Sequence, residues 1–185
     1  TSVKSQALLY YLAVNRRPYS RLALGGLLWA EKGDSEARVN VRQAVKILEK
    51  TIPGCLITTR HTVAINPAQV RTDVALFETA VAKTPTSIPD KQQAADLYTG
   101  DFLDGFYVDQ APEFEQWLAT ERERLRGTAV QLYHDLSHSY LRQRNTIKGL
   151  IAARRLLTLE PWREDSHRVM MHLLACDSAW SAAFT

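Results

Sequence analysis

The first third of the chain changes from a helical to an extended pattern of hydrophobic residues. Apolar positions three and four residues apart predict three short helices, at residues 4–14, 21–29 and 34–51. Polar residues that precede these apolar runs predict N-caps at Ser20 and at Asp34 or Ser35. Alternating apolar positions then predict the two strands of a hairpin, at residues 56–60 and 62–65. Three helices followed by a hairpin indicate a winged helix-turn-helix.

After residue 66 every periodic segment is helical. The spacing predicts five helices, at residues 73–83, 89–98, 112–142, 146–159 and 163–176. Small and apolar residues follow the pattern of one tetratricopeptide-type repeat at Leu132, Tyr133, Leu136, Tyr140, Asn145, Ala152, Ala153, Leu157 and Pro161. A second repeat would begin near Trp162, about 34 residues after Thr128. We therefore expect a mainly α fold, with a winged helix in residues 1–66 and an all-α, tetratricopeptide-like domain in residues 67–185, truncated at its C-terminus.

Charge is distributed unevenly between these two regions. Residues 1–66 carry ten Lys and Arg against four Asp and Glu, whereas residues 67–185 carry thirteen against sixteen. The net charge of +3 is too small to indicate nucleic acid by itself. A basic region with a winged-helix pattern, ahead of an acidic region, is nevertheless typical of a DNA-binding protein.

The predicted helix at residues 34–51 separates apolar from polar positions around its axis. One face is expected in the core and carries Ala37, Val41, Ala44, Val45, Leu48 and Ile52. The opposite face carries Ser35, Val39, Arg42, Gln43, Lys46 and Lys50, with Arg38 at its flank. Arg42 and Gln43 are the candidates for base contacts, since Arg pairs with guanine and Gln with adenine. Lys46, Lys50 and Arg38 are candidates for phosphate contacts, and a merely solvated charged face is the alternative.

Two further sites flank this helix. Ser20 and Arg21, at the start of the second predicted helix, are candidates for binding a phosphate through backbone N–H groups, with ordinary capping as the alternative. Arg60 and His61, where the hairpin reverses, are candidates for contacts with the minor groove or the DNA backbone, or else form a solvent-exposed turn. The predicted DNA-binding residues are therefore Ser20, Arg21, Ser35, Arg38, Val39, Arg42, Gln43, Lys46, Lys50, Arg60 and His61.

No motif in the chain indicates an enzyme or a cofactor. The sequence has no Gly-rich phosphate loop, GxSxG elbow or CxxC pair. His134 and His138 have the spacing of a zinc-protease pair, but Asp replaces the usual Glu between them and no third ligand follows. We expect surface histidines there, with a metallohydrolase as a remote alternative. Cys55 and Cys176 are expected to be buried free thiols in a reducing cytoplasm, and no segment is apolar enough to span a membrane.

Three blocks in the second region carry a family resemblance. They are LYTGDFLDGF at residues 97–106, APEFEQWLATERERL at 111–125 and LEPWREDSH at 159–167. Together they strongly resemble the bacterial transcriptional activator domain, which follows a winged helix in the Streptomyces antibiotic regulatory protein family. The N-terminal region is similar too, most clearly over ARVNVRQAV at residues 37–45. Six residues in and near these blocks are expected to form core between helices, with a partner-binding surface as the alternative. They are Asp101, Phe102, Phe106, Tyr107, Phe114 and Trp117.

The resemblance implies an OmpR-like winged helix that binds promoter DNA, joined to a helical domain for homodimer or partner contacts, including contacts with RNA polymerase. Family members usually have a β-sheet before the first helix. This chain begins at the helix without an initiator Met and ends in helix-like sequence, so we expect a fragment that lacks the sheet. We interpret it as a sequence-specific DNA-binding transcriptional regulator, an activator, in the bacterial cytoplasm at the nucleoid. The alternative is a protein-interaction scaffold whose winged helix does not bind DNA.

Overall fold

The computed structural model describes residues 2–83 and 87–183, which form eight helices and three short strands. The first elements are α1 (Val3–Asn15), β1 (Tyr19–Ser20), α2 (Arg21–Leu28), α3 (Asp34–Thr51), β2 (Leu56–Thr58) and β3 (Thr62–Ile65). The helices that follow are α4 (Asp73–Ala82), α5 (Ile88–Asp96), α6 (Pro112–Arg142), α7 (Thr146–Leu159) and α8 (Glu164–Ala183). The prediction of a mainly α fold is confirmed.

The three strands form one antiparallel sheet in the order β1-β3-β2. In the hairpin, Leu56 pairs with Ile65 and Thr58 with Val63. β1 adds Tyr19 opposite Val63 on the other edge of β3. Sequence analysis missed β1, because two residues are too short to show an alternating pattern and their extended conformation depends on pairing with a distant strand.

The chain divides into two compact units. The first unit contains the residues up to Leu76 together with Leu103–Arg122, and the second contains Phe77–Phe102 and the residues from Glu123 onward. The segment from Leu103 to Arg122, which the sequence pattern assigns to the second domain, therefore packs in the first compact unit. The domain boundary between residues 66 and 67 stays a prediction.

In the first unit, α1, α2 and α3 enclose a core of aliphatic side chains. The fully buried large residues of these helices are Leu8, Leu12, Leu24, Leu28 and Val41, with Leu48 almost fully buried. Each buried Leu contributes roughly 1.5–3 kcal/mol of hydrophobic free energy. α2 and α3 approach closely at Gly25, where an added Cβ would lie 3.2 Å from Cβ of Ala37. This close approach explains why a helix of the core contains a glycine.

Two details of α3 correct the sequence analysis. Its N-cap is Gly33, not Asp34 or Ser35. Asp34 and Glu36 therefore lie in the first turn, where carboxylates interact favourably with the positive end of the helix dipole. Ile52, expected in the core, is the C-cap and is 41% exposed. Its backbone leaves the helical conformation, so its side chain no longer follows the buried face.

An aromatic cluster joins α1 to the segment from Leu103 to Arg122 within the first unit. Phe114 is fully buried, and its ring lies 5.2 Å from that of Trp117 and 6.2 Å from that of Phe106. Phe106 also packs edge-on against Tyr10, at 5.3 Å between ring centroids. The core assignment therefore holds for Phe114, whereas Tyr107 is 65% exposed.

In the second unit, α6 is fixed against α5 by two tyrosine hydroxyls. Tyr133 donates a hydrogen bond to the carbonyl of Ala95 at 3.1 Å, and Tyr140 donates to Oε1 of Gln92 at 3.0 Å. Burial raises the pKa of both phenols, which keeps them neutral donors. The side chain of Asn145 then caps the N-terminus of α7 by accepting from the Lys148 N–H.

A charged group holds the segment after α5 to α6 in the same unit. Asp101 forms an ion pair with Arg126 and accepts a hydrogen bond from the Tyr98 hydroxyl at 2.9 Å. Burial and the hydrogen bond to Asp101 together raise the pKa of Tyr98 to about 12. Asp101 therefore has a structural role in the second unit.

Candidate nucleic-acid interface

The strongest candidate site is the solvent-facing side of α3. Its apolar positions Ala37, Val41, Ala44, Val45 and Leu48 are buried as predicted. The predicted DNA-contacting positions on the same helix are all exposed: Ser35, Arg38, Val39, Arg42, Gln43, Lys46 and Lys50. Burial of one face thus fixes which side chains the other face presents to solvent. Val39, 49% exposed, provides an apolar contact point within this polar face.

The cations of this face are not neutralised by neighbouring carboxylates. Arg38, Arg42, Lys46 and Lys50 form no ion pair or side-chain hydrogen bond with any described part of the chain. The nearby Lys32, in contrast, lies just before α3 and pairs with Glu36 at 3.2 Å. The α3 face therefore presents four cations along about 18 Å of helix, as 1.5 Å per residue gives for Arg38 to Lys50. Such an arrangement attracts a polyanion.

Two of the predicted residues border depressions in the first unit. Gln43, with Asn40 and Ile47, lines a groove of about 660 Å³ that Trp29 and Tyr107 also line. Arg38 lines a smaller pocket of about 180 Å³, together with Glu113. The structure thus places Gln43 at one edge of the exposed face and Arg38 at the other, with Arg42 and Lys46 between them.

The turn between β2 and β3 is organised by the side chain of Thr59. Its hydroxyl accepts hydrogen bonds from the backbone N–H of His61 at 3.2 Å and of Thr62 at 2.9 Å. The Thr59 and Thr62 hydroxyls are also within 2.8 Å of each other. Arg60 and His61 are exposed at the tip of this ordered turn.

The polar groups of Ser20 and Arg21 that a phosphate would need already have partners within the chain. The Ser20 hydroxyl caps α2 by accepting from the Ala23 N–H at 3.1 Å, as in the capping alternative. The backbone N–H of Arg21 donates to the carbonyl of His61 at 3.1 Å, and its Nη2 donates to the carbonyl of Thr59 at 3.2 Å. Arg21 is therefore joined to the turn of the hairpin.

Sequence analysis missed the role of Thr59. Thr side chains that bond to the backbone two or three residues onward are a known turn device. The segment Thr59-Arg60-His61-Thr62, between two alternating runs, contained that signal. The role of Arg21 had no local signal, because its partners lie 38 and 40 residues away in the chain.

Two histidines on α6 are the second group of chemically active side chains. The rings of His134 and His138 lie 4.5 Å apart, and both are half-buried, not surface residues as expected. Burial, followed by the charges of His134 and Arg142, lowers the pKa of His138 against the opposing effects of Asp135 and Asp165. Within the described residues, no group of three or more His, Cys, Asp or Glu side chains is placed to hold a metal ion.

The two thiols differ in environment. Cys55 is buried as predicted, and burial raises the pKa of its thiol. Cys176 is exposed, so its predicted burial is wrong. It lies on the solvent side of α8, at a position that the helical pattern alone did not assign to a face. None of the helices in the described part of the chain has both the length and the apolar character needed to cross a bilayer.

Comparison with known proteins identifies the family. A search of curated proteins gave no match. The family model described as the bacterial transcriptional activator domain matches residues 72–185, which is more than half of the chain. The chain therefore belongs to the bacterial transcriptional activator domain family, a family of transcription regulators.

Proposed function

We propose that this chain is a sequence-specific DNA-binding regulator, an activator of transcription, whose helix α3 enters the major groove of promoter DNA. The observation that carries the proposal is the exposed face of α3, where four cations have no ionic partner among the described residues. Two further observations support it: the family of residues 72–185, and the order helix, strand, helix, helix, strand, strand of a winged helix.

In this proposal some residues of α3 contact bases and others contact phosphates. Arg42 and Gln43 contact base edges, since their side chains match the hydrogen-bonding patterns of guanine and adenine. Lys46, Lys50 and Arg38 contact phosphates and fix the register of the helix. The major groove is about 12 Å wide, which accommodates one α-helix with its side chains. Arg60 and His61, at the tip of the hairpin turn, contact the flanking backbone or minor groove.

The helical domain supplies contacts with a second copy of the chain or with RNA polymerase in this proposal. Exposed apolar side chains on the second unit support a protein-contact role. Ile147 and Ile151, one turn apart on α7, are 74% and 57% exposed, and Met171 on α8 is 62% exposed. Soluble proteins commonly use such exposed apolar groups for association. The bacterial cytoplasm, at the nucleoid, is the compartment that this function requires.

The test is selection of promoter fragments from the source genome by the purified chain, with affinity measured across a range of salt concentrations. Arg42→Ala with Lys46→Ala removes two cations of the proposed interface. Lys148→Ala with Arg154→Ala removes the same charge from exposed positions on α7 and is the matched control. We expect selective enrichment that the α3 pair abolishes and the α7 pair retains. The residual, non-selective DNA affinity of the α3 pair should depend less steeply on salt, by about two counterions.

A protein-interaction scaffold is the second candidate function, and the exposed Ile147 and Ile151 favour it. A scaffold predicts no selective enrichment and no difference between the two double variants. Equal loss in both variants would instead indicate non-specific attraction of DNA to a basic protein. Either result would refute the proposal that α3 recognises a DNA sequence.

A further inference from the structure

Arg21 is attached to the hairpin turn at two points. Its backbone N–H extends the pairing of β1 with β3 by one hydrogen bond, to the carbonyl of His61 at 3.1 Å. Its guanidinium Nη2 reaches across to the carbonyl of Thr59 at 3.2 Å. The same residue begins α2, next to the Ser20 cap. Arg21 therefore connects the start of a core helix to both ends of the turn tip.

One nitrogen of the Arg21 guanidinium is buried. Nη1 of Arg21 exposes less than 1 Å² and has no hydrogen-bond partner within the part of the chain that the structure describes. A buried donor without a partner is costly, so the side chain is held there by its other contacts. A phosphate oxygen therefore cannot reach Nη1 in this conformation. Sequence analysis considered a phosphate bound through backbone N–H groups, and the N–H of Arg21 already donates to the carbonyl of His61.

The turn that Arg21 holds presents the two candidate DNA contacts outside α3. Arg60 and His61 are exposed, and the Thr59 hydroxyl fixes the backbone of His61 and Thr62 beneath them. Arg21 thus donates hydrogen bonds to two residues of the turn, at the carbonyls of Thr59 and His61. Loss of the guanidinium removes the bond to the Thr59 carbonyl without changing the residues at the tip of the turn.

We propose that Arg21 is a positioning residue, which orients the β2–β3 turn so that Arg60 and His61 contact DNA, and that it does not itself bind DNA. The inference rests on the proposed function, because the orientation of the turn matters for DNA only if the first compact unit binds DNA. Arg21 would then affect DNA affinity although it lies outside the surface that contacts DNA. Preorganisation of a contact loop increases affinity because less conformational freedom is lost on binding.

The first test is a double-mutant cycle on DNA affinity with the full chain. Arg21→Met keeps the aliphatic stem and removes the guanidinium, and Arg60→Ala with His61→Ala removes the contacts at the tip. We expect Arg21→Met to weaken binding about tenfold in the unmodified chain, as loss of one hydrogen bond from a charged donor predicts. In the Arg60→Ala, His61→Ala background, we expect Arg21→Met to weaken DNA binding by less than about a further twofold, because the effects of coupled sites are not additive.

A direct phosphate contact makes a different prediction. Arg21→Met would then weaken binding by the same factor in both backgrounds and make the salt dependence shallower by about one counterion in each. That result would overturn the positioning role. Arg71→Met, which removes an exposed cation in the loop before α4, is the matched control for charge and is expected to retain affinity.

The second test measures the turn without DNA. Trypsin cleaves after Arg60, and cleavage in a turn requires local opening of the chain. We expect Arg21→Met and Thr59→Val to accelerate this cleavage, whereas Arg71→Met leaves it unchanged. Thr59→Val changes no charge and also covers the case in which Arg21→Met unfolds the first compact unit. Unchanged cleavage of Arg21→Met would overturn the inference, even if Thr59→Val is cleaved faster. Accelerated cleavage without DNA binding by the unmodified chain would refute the proposed function and leave the turn contact intact.

Discussion

The close packing of α7 on α8 predicts that an alanine at Gly149 destabilises the second unit. Gly149 is buried, and a Cβ on it would lie 2.5 Å from Cδ2 and 3.3 Å from Cδ1 of Leu173. Leu173 is 1% exposed and packs in a cluster with Ala153 and Val169. Its methyl groups cannot move aside into solvent, so the cluster must rearrange to admit the new methyl group.

The magnitude is the difference of two opposing effects. Replacing Gly by Ala within a helix stabilises by about 1 kcal/mol through backbone entropy. Forcing one methyl group into a packed core costs about 1–3 kcal/mol. We therefore expect Gly149→Ala to lower the free energy of unfolding by up to about 2 kcal/mol. The same substitution in a Leu173→Ala background should raise it by up to about 1 kcal/mol, because the clashing atoms are absent.

Urea unfolding followed by helical circular dichroism measures both effects, and Gly127→Ala is the matched control. Gly127 lies within α6, and a Cβ there meets nothing within 4 Å. This variant should be more stable than the unmodified chain by about 0.5–1 kcal/mol. The reasoning is refuted if Gly149→Ala stabilises the chain as much as Gly127→Ala does, or if its effect has the same sign with and without Leu173.

Three further predictions concern the α3 face, the histidine pair and the aromatic core. Arg42→Ala with Lys46→Ala should change the free energy of unfolding by less than about 0.5 kcal/mol, since both side chains are exposed; a larger loss in thermal unfolding would show that they support the fold. The lowered pKa of His138 means that its stabilising contribution is present above about pH 6.5 and is lost as the pH falls through the folded-state pKa. His138→Gln should therefore reduce the loss of stability between about pH 7 and pH 5, measured by urea unfolding, and an unchanged pH profile would contradict this. Phe114→Ala should cost about 3–5 kcal/mol because its ring is fully buried, whereas Tyr107→Ala, at an exposed position, should cost less than about 0.5 kcal/mol; similar losses in the two variants would argue against the aromatic core.

Most helix bounds and the buried face of α3 follow from the local sequence pattern. The helix predicted at residues 146–159 has the same bounds in the structure, and residues 112–142 form one continuous helix as expected. The buried side of α3 also agrees with the prediction, apart from Ile52. These features are local, because backbone hydrogen bonds and the spacing of apolar residues act over three or four positions.

Which faces pack together depends on contacts between segments that lie far apart in the sequence. The segment from Leu103 to Arg122 belongs to the first compact unit, and β1 is a strand only because β3 lies beside it. The contacts of Arg21 with the hairpin turn span about forty residues of sequence, so no periodic pattern contains them. Periodicity shows that a side chain is buried or exposed, but the partner against which it lies depends on the path of the whole chain. For this reason the exposed face of α3 was predictable residue by residue, whereas the residue that holds the neighbouring turn was not.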